Sequence, residues 1–171
     1  PDFLDDCLNS ILRQDYKNLE IIIKDDCSEE VNGMLTVAKK YGTLFDLGEN
    51  FKYVRNEVNL GYVQNKHDGV ANCCTGKYCL IMDHDDFFLT DKIIRLYVEA
   101  FQSSERIVVV SADVELYYQN NNPKSPKEII ADNSSRLISE EKNIIDGNEY
   151  FLGFWNKFCP RQPAVTMFDR Q

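Results

Sequence analysis

Two acidic clusters follow apolar segments of the chain, and both have residue types suited to metal and phosphate chemistry. Asp25 and Asp26 come just after the apolar residues 19–23, and the run Asp83-His84-Asp85-Asp86 follows residues 77–82. Carboxylates gathered at one edge of a sheet repel each other unless a positive charge joins them. A hard divalent cation is the usual partner of such oxygen ligands. The second cluster therefore predicts a metal site whose open positions accept substrate phosphates.

A simpler interpretation stays open, because acidic residues at strand ends are often turn formers or helix caps. Asp25 and Asp26 support both interpretations equally. For Asp83 and Asp85 a functional role is favoured, because they follow a strongly apolar strand. An EF-hand loop is excluded for the second cluster. Such a loop needs an oxygen ligand at its fifth position and glycine at its sixth, and both positions hold phenylalanine when counted from Asp83.

The elements that must position these residues alternate between strands and helices. Apolar periodicity and turn signals predict helices at residues 4–12, 29–41, 62–74, 91–102 and 146–155, and strands at 19–23, 51–54, 77–82, 106–118 and 164–168. Ser28 is the expected N-cap of the second helix and Gly42 its stop signal. The alternation predicts one α/β domain over residues 1–171, with a mostly parallel sheet covered on both faces. Ligands bind such sheets beyond the carboxyl ends of the strands.

Composition narrows the classes of function. The formal net charge of −9 argues against a nucleic-acid partner, because a phosphate backbone attracts lysine and arginine. No apolar run approaches the roughly 20 residues that span a bilayer. The six cysteines form no C-x-x-C pair and have no zinc spacing to the two histidines, so reduced thiols in a cytosolic protein are expected.

Four segments, in this order and with these spacings, resemble the family 2 glycosyltransferases. They are CLNSILRQDY at residues 7–16, LEIIIKDDCS at 19–28, NLG at 59–61 followed by a helix to GKY, and LIMDHDD at 80–86. The resemblance covers residues 4–101. It implies a GT-A-type, Rossmann-like three-layer sandwich.

The resemblance also implies a role for each matching residue. Asp26, with Asp25 beside it, is expected to contact the nucleotide base or ribose. Lys66 stands where the family usually has arginine, facing the base or the diphosphate. Asp83 is expected to hold the ribose or the metal, and Asp85 to ligate the Mg²⁺ or Mn²⁺ that bridges the two phosphates. His84 either contacts phosphate or points away as a partly exposed side chain.

The implied reaction moves a sugar, with inversion, from a nucleoside-diphosphate sugar to an acceptor hydroxyl. UDP is the commonest nucleotide of the family, and the acceptor is a glycan, a lipid-linked molecule or another hydroxyl compound. Cell-surface polysaccharide or glycan synthesis is the expected setting. The expected location is the cytoplasm, with peripheral association at the inner face of the membrane in the full-length protein.

The family's first strand should precede Pro1, and its general base should lie beyond Gln171. The chain is therefore expected to be truncated at both ends and to be inactive by itself. Two other functions remain open. One is a sugar-nucleotide nucleotidyltransferase, and the other is a non-catalytic domain that binds a nucleotide sugar without turnover.

Overall fold

A computed structural model describes residues 1–112 and 166–170. The helices are α1 (Asp2–Leu12), α2 (Val31–Phe45), α3 (Tyr62–Asp68) and α4 (Ile93–Ser103), and the strands are β1 (Ile21–Asp25), β2 (Phe51–Arg55), β3 (Tyr78–Leu80), β4 (Val109–Ser111) and β5 (Thr166–Asp169). A short 3₁₀ turn, Gly48–Asn50, precedes β2, and a π-helical turn, Gly69–Cys73, continues α3. The predicted helix at 146–155, and residues 113–118 of the predicted strand at 106–118, lie outside the described residues.

The described strands form two small sheets. β1 and β2 pair in parallel, from Ile21 opposite Phe51 to Asp25 opposite Arg55. β5 lies between β3 and β4 and runs antiparallel to both. The expected mostly parallel arrangement is therefore correct for the first sheet and wrong for the second. A short apolar strand reached through a long connection fits either direction, so alternation along the sequence cannot fix its orientation.

Two predicted signals around α2 are wrong. Ser28 does not cap the helix, because the N-cap position is Glu30 and the Ser28 hydroxyl donates to Asp25 instead. The helix also runs through Gly42 to Phe45 and ends at Asp46 in the left-handed conformation. Gly42 serves packing, since a Cβ there would lie 3.3 Å from a ring carbon of Phe51.

The hydrophobic core has two parts, one beneath each sheet. The first joins α1, β1 and α2 through Leu4, Leu8, Ile21, Ile23, Ala38 and Tyr41. The second joins α4 to β5 and to the segment before α4 through Phe88, Ile94, Tyr97, Phe101 and Met167. Ile11 and Leu19 pack against both parts, so α1 and the segment just before β1 connect them. Each part buries one apolar face of a helix, which is the main stabilising contribution to such a fold.

The five described cysteines are free thiols. Within residues 1–112 and 166–170, none of the helices has the length and apolar character needed to cross a bilayer.

Candidate functional site

The acidic residues after β3 form a closed turn, hereafter the acidic turn, Asp83–Asp86. The backbone N–H of Asp86 donates to the carbonyl oxygen of Asp83 at 3.1 Å. His84 and Asp85 are exposed at the tip, whereas Asp83 and Asp86 are half-buried. The two metal ligands expected from the sequence, Asp83 and Asp85, thus lie on one short turn that faces solvent.

Helix α1 supports the acidic turn from below. The Cys7 thiol lies 3.8 Å from the carbonyl oxygen of Asp83. The buried Ser10 hydroxyl accepts a hydrogen bond from the N–H of Phe88 at 3.0 Å, just past the turn. These contacts hold the turn by its backbone, at the carbonyl oxygen of Asp83 and the N–H of Phe88.

Gln14, which sequence reasoning missed, anchors the segment that follows the turn. Its side chain is fully buried, donating to the carbonyl oxygen of Thr90 at 2.6 Å and accepting from the N–H of Ile94 at 3.2 Å. A signal was present: Gln14 lies four residues after Ser10, which is itself a polar residue on the buried face of α1.

The acidic turn carries excess negative charge. Burial raises the pKa of Asp86, and the carboxylates of Asp85 and Asp83 raise it further. The same negative charges act on the Cys7 thiol. Its pKa is raised to about 12, mainly by burial and then by the carboxylates of Asp86, Asp85 and Asp83. A cation is stabilised where neighbouring carboxylates disfavour each other's charge.

Lys66 on α3 reaches across to the acidic turn. Its ammonium lies 2.6 Å from Asp83 Oδ1 and 2.6 Å from the Tyr62 hydroxyl, with the Tyr62 ring centroid 3.8 Å away. Burial acts to lower the pKa of Lys66, but the hydrogen bonds to Asp83 and Tyr62 outweigh it, so the net pKa is raised. The structure therefore brings together two residues that the sequence assigned separately to the donor site.

A polar network fixes α3, and with it Lys66, against β1. Lys24 Nζ forms an ion pair of 2.7 Å with Asp68. The Asn65 side chain donates to the carbonyl oxygen of Lys24 at 3.4 Å and accepts from the Asn56 amide at 2.8 Å. The middle and the C-terminal end of α3 are thus tied to Lys24 of β1.

Asp26 orders the loop that leads into α3. Its Oδ1 accepts from the N–H of Leu60 at 2.8 Å and from Asn56 Nδ2 at 2.7 Å, and its Oδ2 accepts from the N–H of Gly61 at 2.9 Å. The hydrogen bond from Leu60 is the largest cause of its lowered pKa. Asp26 thereby positions the first turn of α3, where Tyr62 begins the helix.

Asp25 belongs to a buried network at the end of β1. Its side chain is 3% exposed and contacts the Tyr53 hydroxyl, the Ser28 N–H at 2.9 Å and Arg55 Nε at 3.3 Å. Burial alone would raise the pKa of Asp25, but the hydrogen bonds from Tyr53 and Ser28 outweigh it and hold the pKa low. These contacts give Asp25 a structural role in this turn, and its expected contact with the nucleotide stays a prediction.

His84 is exposed at the tip of the acidic turn. Its ring meets that of Phe3 edge to face, with 6.4 Å between centroids and an interplanar angle of 69°. This contact does not decide between the two roles expected for His84. Its contact with phosphate stays a prediction.

The carboxylates fit a partial metal site better than a complete cage. Among the residues described, no three His, Cys, Asp or Glu side chains are arranged to hold a metal ion by themselves. Mg²⁺ is usually held by only one or two carboxylates, with substrate phosphates and water completing its shell. Asp83 and Asp85 fit this second kind of site, since they share a solvent-facing turn with raised negative charge.

The chain is similar in sequence to several known glycosyltransferases. The chain is 28% identical over 151 residues to the bifunctional glycosyltransferase pgtA of Dictyostelium discoideum, which covers 84% of this chain and 18% of that protein. It is 30% identical over 121 residues to glycosyltransferase GlyA of Streptococcus pneumoniae serotype 4, covering 70% of this chain and 15% of that protein. It is 31% identical over 171 residues to glycosyltransferase GlyG of the same bacterium, covering 99% of this chain and 46% of that protein.

The chain thus spans less than half the length of each of these relatives. The family model described as glycosyl transferase family 2 matches residues 1–166, which include the acidic turn, α3 and both strand ends described above. The chain belongs to glycosyl transferase family 2.

Proposed function

We propose that this domain binds a nucleoside-diphosphate sugar and that the protein containing it transfers the sugar to an acceptor hydroxyl. The observation that carries the proposal is the acidic turn with Lys66 held against it. The ammonium of Lys66 lies 2.6 Å from the Asp83 carboxylate, on the turn that follows β3. A diphosphate needs both a cation and hydrogen-bond donors, and this region offers ligands for the first and supplies the second.

Asp83 and Asp85 are the residues that would hold Mg²⁺ or Mn²⁺. When bound, the metal supplies positive charge that stabilises the diphosphate leaving group. Lys66 would add a point charge and a hydrogen bond to a phosphate oxygen. Lysine cannot form the two parallel hydrogen bonds that arginine forms with a phosphate. The metal would therefore contribute more to positioning the diphosphate here than in relatives with arginine at this place.

Asp26 would contact the base or the ribose while keeping its structural hydrogen bonds. A carboxylate has about four acceptor sites. Three of those on Asp26 are taken by Leu60, Asn56 and Gly61, two at Oδ1 and one at Oδ2. One site at Oδ2 therefore suits an N–H or O–H donor of the nucleoside.

Transfer requires that the acceptor hydroxyl lose its proton as it attacks the anomeric carbon with inversion. The late carboxylate Asp169 is poorly placed to accept this proton. It lies opposite Tyr78 in the β3–β5 pairing, at the end of β3 away from the acidic turn, and its side chain faces Lys77 at 3.8 Å. We therefore assign the general base to a residue outside the described ones.

Membership of a glycosyltransferase family supports sugar transfer over the nucleotidyltransferase alternative. We further propose that the acceptor is a glycan, a lipid-linked molecule or another hydroxyl compound. The transfer would belong to cell-surface polysaccharide or glycan synthesis and take place on the cytoplasmic side of the membrane. A non-catalytic binding domain would share the donor site but show no turnover.

Calorimetry with UDP tests the donor site, in the presence of Mn²⁺ and again with EDTA. We expect measurable binding only with the metal, because the acidic turn repels a bare diphosphate. Titrations with GDP, TDP and CDP under the same conditions identify the preferred nucleotide. Equal affinity with and without metal would show that the carboxylates do not act through a cation.

A further inference from the structure

Lys66 already contacts a carboxylate oxygen of Asp83, one of the two residues proposed to bind the metal. Its ammonium lies 2.6 Å from Asp83 Oδ1, and the lysine side chain is only 17% exposed. A cation ligated by Asp83 and the ammonium of Lys66 therefore compete for the same carboxylate. They also repel each other, because both carry positive charge at close range.

We infer that Lys66 is a built-in competitor for the metal, which makes metal binding depend on the diphosphate. This inference rests on the proposed function. Without a diphosphate, Lys66 neutralises Asp83 and weakens the attraction of the acidic turn for a divalent cation. The donor then binds together with its metal, and a divalent cation alone binds poorly.

A diphosphate removes the competition because it gives the ammonium new acceptors. Its oxygens accept from Lys66 and ligate the metal at once, so the two cations share added negative charge. Asp83 then becomes available to the metal. By linkage, whatever factor the diphosphate adds to metal affinity, the metal adds to diphosphate affinity.

Tyr62 is the positioning residue of this device. It lies four residues before Lys66 on α3, and its hydroxyl and ring both contact the ammonium. Tyr62 as a whole is 58% exposed, so the core does not require an aromatic residue at this position. Tyr62 restricts the lysine to the side of α3 that faces Asp83.

Lys66→Met tests the inference, and Lys77→Met is a matched control. Lys77 also pairs with an aspartate, at 3.8 Å, and lies 5.1 Å from the ring centroid of its neighbour Tyr78, but at the opposite end of β3. The readout is the affinity for Mn²⁺ alone, measured by the electron paramagnetic resonance of free Mn²⁺ and repeated with saturating UDP.

We expect Lys66→Met to bind Mn²⁺ alone about tenfold more tightly than wild type, within the range of roughly 5- to 150-fold usual for coupled sites. The gain in Mn²⁺ affinity on adding UDP should shrink in this variant. Lys77→Met should match wild type in both measurements. Tyr62→Phe, which keeps the ring and removes the hydroxyl, should shift Mn²⁺ affinity in the same direction by a smaller factor.

The outcomes separate the two proposals. If UDP strengthens Mn²⁺ binding in wild type but neither Lys66→Met nor Tyr62→Phe binds Mn²⁺ alone more tightly, the competition is wrong and the donor site stands. An equal gain in Lys77→Met reduces the effect to net charge and also overturns the inference. If UDP leaves Mn²⁺ affinity unchanged in wild type, the metal-assisted donor site fails, and the inference fails with it.

Discussion

The carboxamide of Gln14 donates a hydrogen bond of 2.6 Å to the carbonyl oxygen of Thr90, joining residues 76 positions apart in the sequence. This contact connects the end of α1 to the segment between the acidic turn and α4. With Ser10, it makes α1 the support on which the acidic turn rests. The position of the expected metal ligands thus depends on a helix that contributes no ligand itself.

Replacing Gln14 by methionine should destabilise the protein strongly. The change keeps the side-chain length but leaves the buried carbonyl of Thr90 and the N–H of Ile94 without this partner. We expect the free energy of unfolding to fall by about 2–4 kcal/mol, since each buried polar group left unsatisfied costs roughly 1–3 kcal/mol. Urea denaturation measures the loss. Gln102→Met, at an exposed position on α4, is the control and should unfold like wild type.

Replacing Asp85 by alanine should abolish metal-dependent binding of UDP without lowering stability. Asp85 is exposed at the tip of the acidic turn, so its removal disturbs no packing. Calorimetry with and without Mn²⁺ measures binding, and thermal unfolding measures stability. Asp26→Ala should differ by weakening UDP binding in the presence of metal and by loosening the loop at Leu60 and Gly61.

Glu105→Ala is the charge control for Asp85→Ala. Glu105 is exposed beyond the far end of α4, an 11-residue helix roughly 16 Å long. The Glu105→Ala substitution removes one negative charge, as Asp85→Ala does, but at a position away from the acidic turn. If Asp85→Ala bound UDP with wild-type affinity, the assignment of Asp85 as a metal ligand would be wrong.

Replacing Gly61 by alanine tests whether the loop held by Asp26 positions α3. Gly61 has φ 81° and ψ 158°, a conformation essentially confined to glycine, and a Cβ there would meet nothing within 4 Å. The cost is therefore backbone strain of about 1–3 kcal/mol. We expect reduced stability together with weaker UDP binding, because Tyr62 and Lys66 follow on the same helix.

Gly48→Ala separates the two effects of Gly61→Ala. Gly48 also has positive φ, 56°, and open space around its Cβ, but it lies in the turn before β2. Denaturation should show comparable strain, while calorimetry should show wild-type UDP affinity. Loss of UDP binding in Gly48→Ala would mean that general destabilisation, and not the position of α3, controls the site.

The sequence was sufficient for features that depend on local periodicity. It predicted α1, α4 and the acidic turn because apolar spacing and acidic strand ends are properties of residues that lie close together in the sequence. It failed where partners are distant. Gln14 acts through Thr90, and β5 takes its direction from strands on both sides. Ser28 resembles a helix cap locally, but the buried carboxylate of Asp25 takes its hydroxyl.

Glu20 ties the loop before β3 to the first sheet. Its side chain is 12% exposed, and the carboxylate accepts from the N–H of Thr75 at 2.6 Å, from that of Gly76 at 3.2 Å and from Lys52 Nζ at 2.9 Å. Burial acts to raise the pKa of Glu20. The hydrogen bonds from Thr75, Lys52 and Gly76 outweigh it and lower the pKa from 4.5 to about 2.

Because this pKa is lower in the folded protein than in the unfolded chain, ionised Glu20 stabilises the fold above about pH 4.5. The stabilisation is lost as the pH falls from there towards 2. Glu20→Gln should therefore lower the free energy of unfolding by about 2 kcal/mol at pH 7, somewhat less than the full shift implies because the amide oxygen still accepts. The deficit should shrink to roughly half at pH 3.

Urea denaturation of wild type and Glu20→Gln at pH 7, 5, 4 and 3 measures this difference. Glu29→Gln, at an exposed position before α2, is the control and should show no comparable pH-dependent deficit. A deficit in Glu20→Gln that stayed constant down to pH 3 would assign the effect to hydrogen-bond geometry alone. A deficit that follows the titration would show that the charge of Glu20 holds the loop before β3, and through it the strand that ends in the acidic turn.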